Sequence, residues 1–199
     1  MRRRSANCAE TRKIMKMSTK TIVTVGMFTA VLSVLSIMTI PMPSGVPVTL
    51  QTFAMALCGY VLGAKKGVSS TLLYILLGTI GVPVFAGMTG GPSWLVGYSG
   101  GFIWGFIFLA LLCGLGGGQK NIVISLVLGM AGLAVCHLFG VIQFAIVASS
   151  PVPAAFVTVS VPYIIKDVIS VVGAYLAAIP IRKALRAGNI LNEEVRAAA

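Results

Sequence analysis

Six apolar segments, at about residues 21–40, 46–63, 67–85, 94–116, 121–147 and 155–181, are separated by short stretches of glycine, proline or lysine. They approach or exceed the ~20 residues that carry a helix across hydrocarbon. None shows the roughly ten-residue alternation of an outer-membrane strand. The pattern predicts an all-α integral membrane protein, a bundle of six transmembrane helices that crosses the cell membrane repeatedly. It divides the chain into a basic segment at 1–20, a membrane domain at 21–186 and a tail at 187–199. Residues 41–47 hold three prolines and a glycine and predict a tight turn, while 86–92 and 149–153 predict two further breaks.

Composition supports a membrane setting. Apolar residues make up 57% of the 199, charged residues 10%, and the mean hydropathy is +0.99, which no water-soluble surface of this size carries. The net charge of +11 invites a nucleic-acid reading, but its distribution argues against one. Seven basic residues precede the first apolar segment, and Arg182, Lys183, Arg186 and Arg196 follow the last. Such clusters at segment ends are topological signals and contacts for anionic membrane lipid. With a cytoplasmic N-terminus, six passes put fourteen of the fifteen Lys and Arg residues on the cytoplasmic side, and the C-terminus with them. The fifteenth is Lys166. The first apolar segment exceeds the core of a secretory signal and lacks a small-x-small cleavage pattern, so it reads as a membrane helix.

Chemistry concentrates at the ends of the helices predicted to face outward. Lys166 and Asp167 interrupt the last apolar segment, and Asp167 is the only acid between Glu10 and Glu193. A charge at mid-bilayer costs about 2.5 to 3.5 kcal/mol on insertion scales, so a retained pair points to a ligand or ion site. Neighbours on a helix project about 100° apart, which predicts that each seeks a separate partner rather than the other. Lys166 lies eleven residues into its segment, less deep where Pro151, Pro153 and Pro162 delay the helix. An outward-opening pocket follows, with Gln51, Thr52, Trp94, Tyr98, Ser99 and Tyr163 at the same end. His137 reads first as a hydrogen-bonded packing residue and second as a ligand contact. Gln51 bridges helices or reaches a ligand.

Gly26, Ala30 and Ser33 form a small-residue face on the first helix, and Gly101 and Gly105 another on the fourth. Cys8, Cys58, Cys113 and Cys136 are scattered and read as buried small hydrophobes, with no disulfide framework or metal site. No P-loop, HExxH or GxSxG occurs, so the chain lacks its own ATPase or hydrolase machinery.

Four stretches together carry a resemblance: Pro47-Val-Thr-Leu-Gln-Thr-Phe53; Leu62-Gly followed by Lys65-Lys66-Gly67; Leu73-Tyr-Ile-Leu-Leu-Gly-Thr-Ile-Gly-Val-Pro-Val-Phe-Ala-Gly87; and Gly97-Tyr-Ser-Gly-Gly-Phe102. In order, over about residues 20 to 186, they resemble the biotin-specific S component, the BioY family, of energy-coupling-factor (ECF) transporters. The resemblance implies six helices, cytoplasmic termini and a vitamin pocket near the outer face. It also implies partners: a transmembrane coupling subunit and two cytoplasmic ATPase subunits, which alone use ATP. Docking to the coupling subunit would fall to Gly26, Ala30 and Ser33. Biotin is then transported ligand, with no resident cofactor.

The family's last helix reads Pro-x-x-x-Gly-Asp-x-x-Lys, its Asp and Lys associated with biotin. Here it reads Pro162-Tyr-Ile-Ile-Lys166-Asp167-Val-Ile-Ser170, so the acid aligns while Lys166 stands at the glycine and Ser170 at the lysine. Residues 166 and 170 are one turn apart, so the Lys166 side chain projects toward a similar region. Tyr98 likewise stands where a proline is common. The expected substrate-binding set is Asp167, Lys166, Gln51, Tyr163, Trp94, Ser170 and His137. Asp167 would accept a ureido N–H, Lys166 neutralise the valerate or hold Asp167 ionised, Gln51 bond the head group, and Trp94 with Tyr163 wall the slot. The alternatives are an S component for lipoate or thiamine, a membrane enzyme using Asp167 and His137 as an acid–base pair, and a structural or channel subunit.

Overall fold

A computed structural model describes residues 19–188, which are mostly helical. Helix α1 spans Thr19–Ile37 and leads into a hairpin of two short strands, β1 at Thr39–Ile40 and β2 at Val48–Thr49. These pair antiparallel, Thr39 opposite Thr49 and Ile40 opposite Val48. Then follow α2 (Gln51–Thr79), the one-turn α3 (Ser93–Val96), α4 (Gly100–Gly117), α5 (Ile122–Val147), the short α6 (Val152–Val159) and α7 (Val161–Ala187). Of these, α1, α4, α5 and α7 are long and apolar enough to cross a membrane.

The span assigned to α2 is two helices. Gly63 sits at φ 79° and ψ 173°, outside helical geometry, and the chain reverses there. Gln51 Nε2 donates to Tyr74 OH at 2.6 Å, and Thr71 Oγ1 lies 3.5 Å from Met55 Sδ. A Cβ on Gly67 would come within 3.0 Å of Gly59 Cα. The pairs 51/74, 55/71 and 59/67 all centre within half a residue of Gly63, as two antiparallel arms require. Only glycine occupies that backbone region without strain of about 1–3 kcal/mol. An added Cβ at Gly63 meets nothing within 4 Å, so Gly63→Ala is expected to destabilise the fold through backbone strain alone. A lowered thermal midpoint in detergent, with helical content retained at low temperature, checks this.

Between α4 and α5 the backbones nearly touch. A Cβ on Gly101 would lie 2.1 Å from the Phe139 carbonyl oxygen, and one on Gly105 would lie 2.6 Å from Cys136 Cα. The small-residue face predicted on this segment therefore serves packing within the chain. The first arm of α2, α4, α5 and α7 enclose the core, where Met55, Tyr60, Leu109 and Val171 are fully buried. Outward faces are apolar as well: Val23, Val127, Ile146 and Ile165 are each more than half exposed. In water such surfaces would drive aggregation, and in a bilayer they meet lipid.

Three predicted segments begin or divide elsewhere. Residues 46–49 belong to the hairpin, so helix begins at Gln51, and α4 begins at Gly100 after the separate turn of α3. The last segment divides at Ser160, with Pro162 in the first turn of α7, where a missing N–H is harmless. Cys58, Cys113 and Cys136 are buried, as expected of small hydrophobes, and each is a free thiol. Cys8, the basic segment up to residue 18 and the tail from 189 lie outside the described residues.

Candidate functional site

Where the hairpin folds over the N-terminal end of α2, a cavity opens between the hairpin, α3, α4 and α7. It is a narrow slot of about 40 Å³. Gln51, Trp94, Tyr163, Lys166 and Asp167 all line it, although they are scattered over 117 residues of sequence. The first arm of α2, residues 51–62, has only twelve residues, about 18 Å of helix. Its blunt N-terminal end forms part of the cavity wall, where free N–H groups favour negative charge.

Asp167 is 5% exposed and is held from two sides. The Lys166 ammonium pairs with Oδ1, and His137 Nε2 lies 3.3 Å from Oδ2. His137 Nδ1 in turn lies 3.0 Å from Ser160 Oγ. The adjacent Lys166 and Asp167 thus bond each other, contrary to the expectation that neighbours on a helix seek only separate partners. The reason is reach, because the four-carbon lysine stem bends round the helix while the short aspartate stays in place. Each nevertheless has a further contact: Lys166 Nζ donates to the Thr49 carbonyl at 3.1 Å.

That bond is one of three that hold the hairpin down on α7. The Tyr163 hydroxyl donates to the Val46 carbonyl and lies 3.0 Å from Ser44 Oγ. Gln51 bridges helices, joining the two arms of α2 through Tyr74; it also accepts from Thr49 Oγ1 at 3.2 Å and lines the slot.

Two members of the expected set stand back from the slot. His137 is 7% exposed and lies behind Asp167, where it lines an apolar groove between α5, α6 and α7. Both its ring nitrogens face protein partners, which argues against an acid–base pair acting on a substrate in the slot. Ser170 is 8% exposed, a turn beyond Lys166, and is not among the lining residues.

Aromatic walls escaped sequence reasoning. Phe85, Phe102 and Phe106 line the slot beside Trp94, yet nothing distinguishes them in sequence from other phenylalanines of the apolar segments. Phe85 is fixed by Tyr74, with ring centroids 5.5 Å apart and edge-on, and leans toward Trp94 at 6.1 Å. Its far side rests on Gly78, where an added Cβ would lie 2.1 Å from the ring. The run from Gly78 to Phe85 therefore has a structural reason: the first glycine admits the ring, Gly81 at φ 103° turns the chain, and Phe85 presents the wall. Ser99 also lines the slot, with a buried hydroxyl that has no hydrogen-bond partner. A bound polar group would satisfy it.

Gly26 and Ala30 are exposed on α1 and Ser33 is half-buried, its hydroxyl donating to the Thr29 carbonyl at 2.9 Å. Nothing lies within 4 Å of a Cβ built on Gly26.

Comparison with known proteins gives a consistent picture. Residues 9–187 match the model of the BioY family. The chain is 38% identical over 159 residues to the biotin transporter BioY of Thermotoga maritima, covering 79% of this chain and 93% of that one. It is 34% identical to the biotin transporter BioY of Rhizobium etli, covering 80% and 91%. Among solved structures it resembles the 2.1 Å crystal structure of the S-component for biotin from an ECF-type ABC transporter, with a TM-score of 0.74, 25% identity, and 86% and 95% of the two chains covered. By the extent of the family match and these identities, the chain belongs to the BioY family.

Proposed function

We propose that this chain is the substrate-binding subunit of an ECF-type biotin transporter, capturing the vitamin from outside the cell for ATP-driven uptake. The observation that carries the reading is the buried Asp167 carboxylate, paired with a partly exposed Lys166, opening onto an aromatic slot under a strapped hairpin. Biotin offers a ureido group with two N–H donors, an apolar fused ring and a valerate anion. Asp167 accepts a ureido N–H, and Phe85, Trp94 and Phe102 sandwich the rings. Lys166, with the positive end of α2, neutralises the carboxylate. Gln51 and Ser99 supply the remaining hydrogen bonds. His137 acts by fixing Asp167, and Ser170 stands in the second layer behind Lys166.

The membrane arrangement in this reading has six passes, counting the two arms of α2 separately, with both termini in the cytoplasm. Lys65, Lys66, Lys120 and Lys183 then share the cytoplasmic end, as the charge distribution favours. The chain carries no nucleotide-binding motif, so a coupling subunit and two ATPases supply the energy. Gly26, Ala30 and Ser33 offer α1 as a close-packing face for that coupling subunit.

Calorimetric titration of the purified chain with biotin, lipoate and thiamine tests the substrate. Saturable one-to-one binding of biotin, unaffected by excess lipoate or thiamine, is expected. Displacement by either vitamin, or no stoichiometric biotin binding, would overturn the assignment.

A further inference from the structure

At the opposite end of the molecule from the slot lies a second pocket, of about 540 Å³, between the α4–α5 loop and the end of α7. Its rim carries Lys120, Arg182, Lys183 and Arg186. No carboxylate lines it, and Asp167, the only acid among the described residues, is fifteen residues back along α7, about 22 Å. Arg182 donates to the Gly117 carbonyl, which holds it against the end of α4, and Gly118 beside it adds no side chain to the rim. Arg182 and Arg186 are one turn apart on the same helix, an arrangement that repels unless an anion lies between. Beneath the rim the wall turns apolar: Tyr175 packs edge-on to Tyr60 with centroids 5.2 Å apart, followed by Ala178 and Ile179. Ile179 is 52% exposed, on a helix long and apolar enough to span a membrane.

From this layering we infer that the pocket binds an anionic phospholipid. The phosphate sits among the cations of the rim, and an acyl chain runs down the apolar wall past Ile179 and Tyr175. A cationic mouth alone would suit free phosphate equally well, and the apolar stair below it favours a lipid. The inference depends on membrane placement and not on which vitamin the slot holds.

The test uses the full chain in detergent, titrated with short-chain phosphatidylglycerol, short-chain phosphatidylcholine and inorganic phosphate, and followed by native mass spectrometry. One phosphatidylglycerol is expected to bind saturably, with phosphatidylcholine far weaker. The triple variant Lys120→Ala, Lys183→Ala, Arg186→Ala should weaken binding on the order of 100-fold, from roughly fivefold per cation. A Lys65→Ala, Lys66→Ala control, which removes charge from the same end but outside the pocket, should change it less than about threefold. Circular dichroism and thermal midpoints establish that both variants fold. Equal loss in the control, or none in the triple variant, would reduce the pocket to unspecific surface charge and overturn the proposal. So would inorganic phosphate that competes as well as the lipid, which would make it a free-phosphate site. Lipid binding that emerges only in Glu193→Gln, Glu194→Gln would assign the pocket to the chain's own acidic tail instead.

Discussion

Asp167→Ala is expected to abolish measurable biotin binding while leaving a folded, membrane-inserted protein. The substitution removes a hydrogen-bond acceptor from the slot and strands two neighbours, because Lys166 and His137 both turn toward this carboxylate. Breaking a buried ion pair by deleting one partner costs about 3–5 kcal/mol, which corresponds to a loss of a few hundred- to a few thousand-fold if it falls on the bound state. Asp167→Asn keeps the volume and one acceptor oxygen, so a smaller loss is expected, with charge as the difference between the two variants. Titration calorimetry reads the affinity, and a thermal midpoint separates lost binding from lost fold. Wild-type affinity in a folded Asp167→Ala protein would remove this residue from the site. The substrate assignment would then rest on family membership.

A single added methyl group should have the second largest effect. Gly78→Ala places a Cβ 2.1 Å from the Phe85 ring, which has Tyr74 and Trp94 on its flanks. The ring's open direction is the slot, so the variant should fill from the side a space already narrow. Overpacking of this kind costs about 1–3 kcal/mol, a loss of binding of roughly 5- to 150-fold if it is felt by the ligand. A second substitution separates a displaced wall from general damage. In Gly78→Ala, Phe85→Ala the obstruction is gone, and affinity should recover part of the way despite the loss of an aromatic face. If the double variant binds more weakly than either single one, the ring is not being pushed into the slot.

Much of the architecture was legible from hydropathy and charge because a bilayer imposes length and polarity on every segment. The boundaries that shifted are those where apolar residues do something other than continue a helix. Val46 and Val48 are apolar because they close the hairpin, and Trp94 because it faces the slot from an isolated turn. Hydropathy cannot separate such residues from membrane helix. The reversal between the second and third segments was legible from the Lys65–Lys66 punctuation and the six-pass charge count, whereas its pivot at Gly63 is seen only in φ. For the site, Asp167 and Lys166 announced themselves by their expense in an apolar run. Phe85, Phe102 and Phe106 had no such contrast with their surroundings. The contact of His137 with Asp167 joins residues thirty positions apart on different helices, and no spacing rule reaches across that distance.

The two side chains that clasp the hairpin both seize main-chain oxygens, those of Val46 and Thr49. Every residue carries such an oxygen, so the clasp itself makes no demand on the side chains of Val46 and Thr49, which are constrained instead by burial and by the Thr49–Gln51 hydrogen bonds. Tyr163 and Lys166 have no such latitude. Among homologues that keep this closure, positions 46 and 49 should therefore vary as packing and the Gln51 contact allow, while positions 163 and 166 keep a long hydrogen-bond donor.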